Sequence, residues 1–228
     1  MKTSIIILNW NTLSYLKKCI NSIKKYTKDY ELIIVDNGST EKGTKEYIRK
    51  VADKAYFLSV NIGFSRGNNY GASIASGDFL CFMNSDIVVK DNWLEEMYKT
   101  FENNKNCGAV GPLGNPKKRR INGKTYYFTQ YIGQYNKDTK VEFLVGFCIL
   151  IKRELFDEIK GWDEDFFNGF EDSWLSLMVR REGLELIVSA KSNIIHYAGV
   201  AHSANKIDYS KSLISNQTIY QNKLKGLK

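Results

Sequence analysis

The chain has 228 residues, 43% of them hydrophobic and 25% charged, which fits one large globular domain and excludes a disordered or fibrous chain. Lys and Arg number 33 against 25 Asp and Glu, a net charge of +8 that suits an anionic partner (a nucleotide, a nucleic acid or an acidic membrane face) as well as it suits a lysine-rich proteome. Four scattered cysteines with no CxxC pair and only 2 histidines argue against structural zinc, a disulfide framework and a multi-histidine metal centre, and fit a reducing cytoplasm.

In chain order, Ile5-Ile6-Ile7-Leu8 reads as a buried strand, since a continuous β-branched run needs cover on both faces. That apolar stretch is too short for a signal peptide, and no apolar run reaches the ~18 residues of a membrane span. Thr12 is placed to cap a helix on which Leu13, Leu16, Ile20 and Ile23 share one face. Leu32 to Val35 is a second strand, stopped by the turn formers Asp36-Asn37-Gly38-Ser39. A helix from Thr44 to Val51, a strand near Tyr56 to Leu58, a small-residue helix from Gly67 to Ala75 and a strand from Phe79 to Met83 follow. Trp93 to Phe101 is an amphipathic helix and Gly108 to Gly111 a short strand. This β/α alternation predicts a mostly parallel sheet flanked by helices, with ligands beyond the carboxyl ends of the strands.

After residue 111 the pattern changes. Pro112 to Lys124 reads as a loop carrying Lys117-Lys118-Arg119-Arg120, Thr125 to Tyr135 and Val141 to Ile151 as longer strands, and Glu154 to Ile159 and Ser173 to Arg181 as helices. Leu184 to Ala190 and Asn193 to Tyr197 are final extended segments, and the polar stretch from Ala201 is a mobile tail or a lid. No linker divides the chain, so residues 1–228 are expected to form one domain, with a nucleotide half (1–111) and an acceptor half (112–228).

Four polar clusters follow predicted strands: Asn9-Trp10-Asn11, Asp36-Asn37-Gly38-Ser39, Asn61-Ile62-Gly63 and Asn84-Ser85-Asp86. At the carboxyl edge of a sheet, Asp86 is a candidate ligand for a hard divalent cation bridging phosphates, though a strand-ending turn explains it too. Asp36 fits either an Asx-turn or a hydrogen bond to a base or ribose. Asn61 to Asn69 is glycine-rich and opens a helix, which offers N–H groups to an anion. Gly63 and Gly67 do not make GxGxxG, so the dinucleotide fingerprint is absent, and Arg66 can pair with phosphate or simply face solvent. Gly161 to Asp172 interleaves acids with aromatics, a composition that suits sugar recognition, while a helix N-terminus explains only Asp172.

Taken in order, these motifs and His196 resemble the family 2 glycosyltransferases of the GT-A fold, in particular the rhamnosyltransferase-like branch, over roughly residues 3 to 203. The resemblance implies an inverting transferase that moves a sugar from a UDP- or dTDP-sugar, dTDP-rhamnose among them, to a hydroxyl of a cell-surface glycan or a lipid-linked acceptor. It implies that Asp36 contacts the base with Asn9 and Arg66 nearby, and that Asn61, Gly63, Asn68 and Asn84 belong to the donor site. Asp86 matches the last acid of the DxD motif and would hold Mn²⁺ or Mg²⁺ on the diphosphate, with His196 as a further ligand and His202 as the fallback. Asp172 would be the base and its neighbour Glu171 would orient the acceptor or hold the loop.

The chain departs from the pattern at Asn84, where the first DxD acid would stand, and at Trp174, where an acid is usual. The first departure bears on metal affinity and the second on the acceptor. Such an enzyme would be cytoplasmic, at most in peripheral contact with the inner membrane face through lysines such as Lys223, Lys225 and Lys228, and would have no nucleic-acid partner. A nucleotidyltransferase would need a glycine-rich basic loop after the first strand, where Asn9-Trp10-Asn11-Thr12 stands. A catalytically silent sugar-binding module would have no need of both Asp86 and Asp172.

Overall fold

The computed structural model describes residues 2–114, 118–121, 124–127, 136–205 and 209–227. Strands β1 (Thr3–Asn9), β2 (Tyr30–Asp36), β3 (Lys54–Phe57) and β4 (Phe79–Asn84) lie side by side and parallel in the order β3-β2-β1-β4. They alternate with α1 (Leu13–Tyr26), α2 (Thr44–Val51) and α3 (Phe64–Ile74).

Successive strand residues point to opposite faces, so each apolar run feeds two cores. Ile5, Ile7 and Ile34 pack with Leu16, Ile20 and Ile23 of α1 and with Trp93 and Met97 of α4 (Trp93–Asn103). Ile6, Ile33, Leu80 and Phe82 pack on the other face with Ala72 of α3, Phe156 of α5 (Arg153–Glu158) and Leu175 and Val179 of α6 (Glu171–Arg181). The small residues of α3 allow its close approach to β1, because a Cβ on Gly67 would collide with the Leu8 side chain.

The remaining strands are β5 (Ile87–Val89), β6 (Cys107–Gly114), β7 (Lys118–Ile121), β8 (Lys124–Tyr127), β9 (Thr139–Val141), β10 (Cys148–Lys152) and β11 (Glu185–His196). The sheet continues as β4-β10-β6-β11-β5, with β9 also on β11. Here β10 runs antiparallel to both β4 and β6, β11 is parallel to β6, and β5 and β9 are antiparallel to β11. Parallel pairing therefore holds for the first half, while the second half is mixed.

Several expected elements differ in detail. Val141 to Ile151 is not one strand: residues 142–147 leave the sheet between β9 and β10, yet Leu144 and Phe147 stay buried, so the apolar run persists without strand pairing. The two final extended segments are one strand, β11, whose register with β6 shifts between Ser189 and Asn193. The expected loop from Pro112 is partly strand: β6 runs on to Gly114, and Lys118-Arg119-Arg120 lies in β7, paired with β8 as a separate ribbon. Lys117 and residues 128–135 of the expected strand lie outside the described residues.

The stretch after Ala201 is helical, as α7 (Val200–Asn205) and α8 (Tyr209–Gly226). α8 docks through polar side chains on backbone: Ser212 and Asn216 donate to the Asn168 carbonyl at 2.7 and 2.9 Å, and Asn216 to that of Gly169 at 2.8 Å. Hydrophobic periodicity does not register such bonds. Thr12 occupies the N-cap position of α1 without capping it, since its hydroxyl is spent on Asn9 and Ser85.

Candidate active site

The carboxyl ends of β1, β2 and β4 form one polar ledge. Asn9 and Asp36 are register partners and both are fully buried. Asn9 Nδ2 donates to Asp36 Oδ1 at 3.3 Å and to Ser39 Oγ at 3.2 Å, while its Oδ1 accepts from Thr12 Oγ1 at 2.8 Å. Asp36 Oδ2 is buried without a hydrogen-bond partner. Asn37 ties the next loop down: it donates to Asn61 Oδ1 (2.9 Å) and to the Gly63 carbonyl (3.1 Å), and accepts from the Ile62 N–H (2.9 Å).

Gly63, at φ +93°, faces the loop before α6 closely. A Cβ there would lie 2.7 Å from the Phe167 carbonyl oxygen, which accepts from the Phe64 N–H at 2.7 Å. The Asn61 to Phe64 segment and the loop before the acids of α6 are thus locked together.

A pocket of about 270 Å³ opens over this ledge. Leu8, Trp10, Asn37, Asn61, Gly63 and Phe64 line it, with Asn84, Ser85, Asp86 and His196. Val145 to Phe147, Phe167, Asn168, Glu171 and Asp172 line it too, and Gly199 to Ala201 with Ser212 complete the lining.

His196 ends β11 opposite Ile87 of β5, which brings its Nε2 to 3.2 Å from Asp86 Oδ1 and 3.5 Å from Asn84 Nδ2. Phe147 stacks on the imidazole at 4.9 Å between centroids. Asp86 and His196 are each almost fully buried yet line the pocket. A carboxylate and an imidazole nitrogen this close fit a divalent cation that takes its other ligands from a bound phosphate. They do not make an all-protein cage, and no cluster of three ligating side chains occurs among the described residues.

Glu171 and Asp172 open α6, after Phe170 in the left-handed region at φ +71°. Asp172 Oδ2 accepts from the Gly146 N–H at 3.0 Å and Oδ1 from the Ser173 N–H at 2.7 Å. Burial raises the Asp172 carboxyl against these bonds. Burial and then the Asp172 charge push Glu171 up to about 8.

The structure brings Asn61, Gly63, Asn84, Asp86, Glu171, Asp172 and His196 to one pocket. Asn9, Asp36, Arg66 and Asn68 are not among its lining residues. Arg66 is exposed and its Nε stands 3.5 Å from Glu164, and Asn68 is buried with its amide on the Phe64 carbonyl at 3.0 Å. The His202 side chain lies outside the described residues.

Much of the acid-and-aromatic segment is structural. Trp162 and Phe166 are in the core, and Asp163 and Asp165 hold Lys223 of α8 at 2.9 and 2.6 Å. Of its aromatics, half-exposed Phe167 reaches the pocket. Trp10, Asn37 and Ser85 were within reach of sequence reasoning, as members of the strand-end clusters. Gly146 and Ser212 carry no comparable signal.

The family profile described as "Glycosyl transferase family 2" matches residues 4–160. The O-antigen biosynthesis protein RfbC of Myxococcus xanthus is 25% identical over 90% of this chain, which spans only 18% of that protein's length. The rhamnosyltransferase WbbL of Escherichia coli (strain K12) is 23% identical over 91% of this chain and 87% of its own. Among solved structures, GalNAc-T7 with UDP, GalNAc and Mn²⁺ superposes with a TM-score of 0.71 at 17% identity, covering 86% of this chain and 44% of that one. The fold is that of the GT-A glycosyltransferases.

Proposed function

The chain belongs to glycosyl transferase family 2, and we propose that it transfers a sugar from a UDP- or dTDP-sugar to a hydroxyl of a cell-surface glycan or lipid-linked acceptor, with inversion. The observation that carries this reading is one pocket at the carboxyl edge of the sheet lined by both the Asp86–His196 pair and Glu171–Asp172. The first pair suits a diphosphate bearing a cation, and the second suits a hydroxyl that must lose its proton. WbbL, named a rhamnosyltransferase, supports dTDP-rhamnose as one donor to test.

In this reading Asp172 takes the proton of the acceptor hydroxyl as its oxygen bonds to the anomeric carbon. The bond from that carbon to the diphosphate breaks on the opposite face, and the nucleoside diphosphate departs. Asp172 suits the task because both its oxygens are fixed by backbone N–H groups while its side chain still lines the pocket. Mn²⁺ or Mg²⁺ held by Asp86 and His196 would neutralise the charge on the diphosphate. Trp10 and the hydrogen-bonded pair Asn37 and Asn61 line the part of the pocket left for the nucleoside. Among the described residues no helix is long and apolar enough to cross a membrane; the reading places the enzyme in the cytoplasm, in peripheral contact with the membrane through its lysines.

Incubating the protein with a panel of nucleotide sugars and Mn²⁺, and measuring enzyme-dependent release of UDP or dTDP, tests the proposal. Release from one or two donors is expected. No release from any donor, with and without acceptor glycans, would remove the proposed activity.

A further inference from the structure

The outer face of α1 has no part in the pocket. Leu16, Ile20 and Ile23 turn one side of this helix into the core. The opposite side repeats at the same spacing in exposed polar residues, Lys17, Lys18, Asn21, Lys24 and Lys25, and Lys28 continues it just past the helix end. No acid interrupts this stripe. Residues 1–28 contain six lysines and no Asp or Glu, in a chain whose net charge is +8.

These charges are not neutralised by carboxylates. Among the described residues no lysine of α1 forms an ion pair. Their neighbours are half-buried tyrosines: Lys17 Nζ stands 5.5 Å from the ring centroid of Tyr47, Lys18 Nζ 5.0 Å from Tyr15 and 5.6 Å from Tyr197, and Lys25 Nζ 4.8 Å from Tyr26. Lys223 of α8, by contrast, is held by Asp163 and Asp165.

Tyrosines among unpaired lysines match the chemistry of a bilayer surface, where the rings sit at headgroup level and the ammonium groups meet lipid phosphates. The shape agrees. The 14 residues of α1 span about 21 Å, and none of them lines the pocket. A folded polyanion would be gripped better by arginines, whose planar forks bind phosphate two bonds at a time, and α1 has none. The stripe also begins beside the pocket. α1 opens three residues after Trp10, and Tyr197, packed edge-on against Tyr15 at 5.2 Å, directly follows His196.

We propose that the outer face of α1 docks the protein on an anionic phospholipid bilayer, with Lys17, Lys18, Lys24 and Lys25 on the headgroups and the pocket edge of the sheet beside the membrane. The contact falls on α1 rather than on Lys223 and Lys225 of α8. It deepens the membrane part of the transfer reading, but vesicle binding is read without transfer, so either can fail alone.

Co-sedimentation with vesicles of equal parts phosphatidylcholine and phosphatidylglycerol, and with phosphatidylcholine vesicles, tests the proposal. At about 0.1 M salt the wild type should bind the mixed vesicles and not the neutral ones. At about 1 M, where the screening length drops from about 10 to about 3 Å, binding should be lost. Lys17→Gln, Lys18→Gln, Lys24→Gln and Lys25→Gln combined should weaken binding roughly hundredfold or more at unchanged Tm, since each lysine at the surface contributes roughly fivefold. The same number of charges removed elsewhere on the surface, by Lys152→Gln, Lys160→Gln, Lys191→Gln and Lys225→Gln, should cost less than about tenfold. Equal losses in the two quadruple variants would overturn the proposal, as would wild-type binding that ignores the anionic lipid or fails on both vesicles. Tighter binding of heparin or polyuridylate than of mixed vesicles through the α1 lysines would replace the bilayer with a soluble polyanion.

Discussion

Asp86 and His196 meet at 3.2 Å only because β5 pairs antiparallel with the end of β11. Asp86→Ala should remove most transfer, and excess chelator should do the same to the wild type; full activity in chelator would end the cation's role. Asn84, with Nδ2 3.5 Å from His196, sits where an acid would complete the pair, so Asn84→Asp should be tolerated, with cation titrations showing affinity equal or higher. Glu171 has a consequence for stability. Its folded-state value of about 8 lies above the ordinary 4.5, so its contribution is fully present below about pH 4.5 and is lost as pH rises through 8. Glu171→Gln has no proton to lose, and its Tm between pH 7 and pH 9 should fall less than that of the wild type. An equal fall in both would show that Glu171 is ionised throughout.

β1, β2 and α1 were legible because β-branched runs such as Ile5 to Leu8 and a helical stripe such as Leu13 to Ile23 are strong signals, while β4 was legible as the unbranched apolar run Phe79 to Met83. β10 and β11 were less so. A strand inserted antiparallel between β4 and β6 has the same apolar signature as one appended in order, and a register shift at Ser189 leaves no mark in the sequence. At the amino end of the sheet, burial pushes the Glu31 carboxyl up, but bonds from Lys54, Ser4 and Ser76 outweigh it and hold the group down to about 2. A depressed value contributes stability above pH 4.5 that is lost as pH falls through about 2. Glu31→Gln should cost about 1–3 kcal/mol in urea unfolding at neutral pH without changing nucleotide affinity. Gly63→Ala acts between elements. It places a Cβ against the Phe167 carbonyl at an unfavourable φ, and should cost more than about 1 kcal/mol and slow transfer by loosening the loop before α6. Unchanged Tm and rate would mean that the contact is not needed.

Across the protein, the order of strand-end clusters pointed to the carboxyl edge of the sheet, and a pocket lies there. The sequence could not separate the residues that line the pocket from those behind them. Asn9 and Asp36 bond to each other, while Asn37, one residue further on, lines the cavity. That distinction depends on which way each side chain turns at the end of its strand. The net charge of +8 predicts binding to anionic vesicles that salt abolishes, at about 1 kcal/mol per basic residue near the surface. Retention at high salt would require an apolar anchor or a protein partner. The central claim, that this pocket carries out glycosyl transfer with Asp172 as the base, is tested most directly by Asp172→Asn, which keeps shape and removes the proton acceptor. Turnover and nucleotide-sugar affinity should be measured on the same preparation. Transfer is expected to fall by roughly 10²–10⁴-fold with donor affinity and Tm preserved. An Asp172→Asn enzyme that turns over at the wild-type rate would contradict the account.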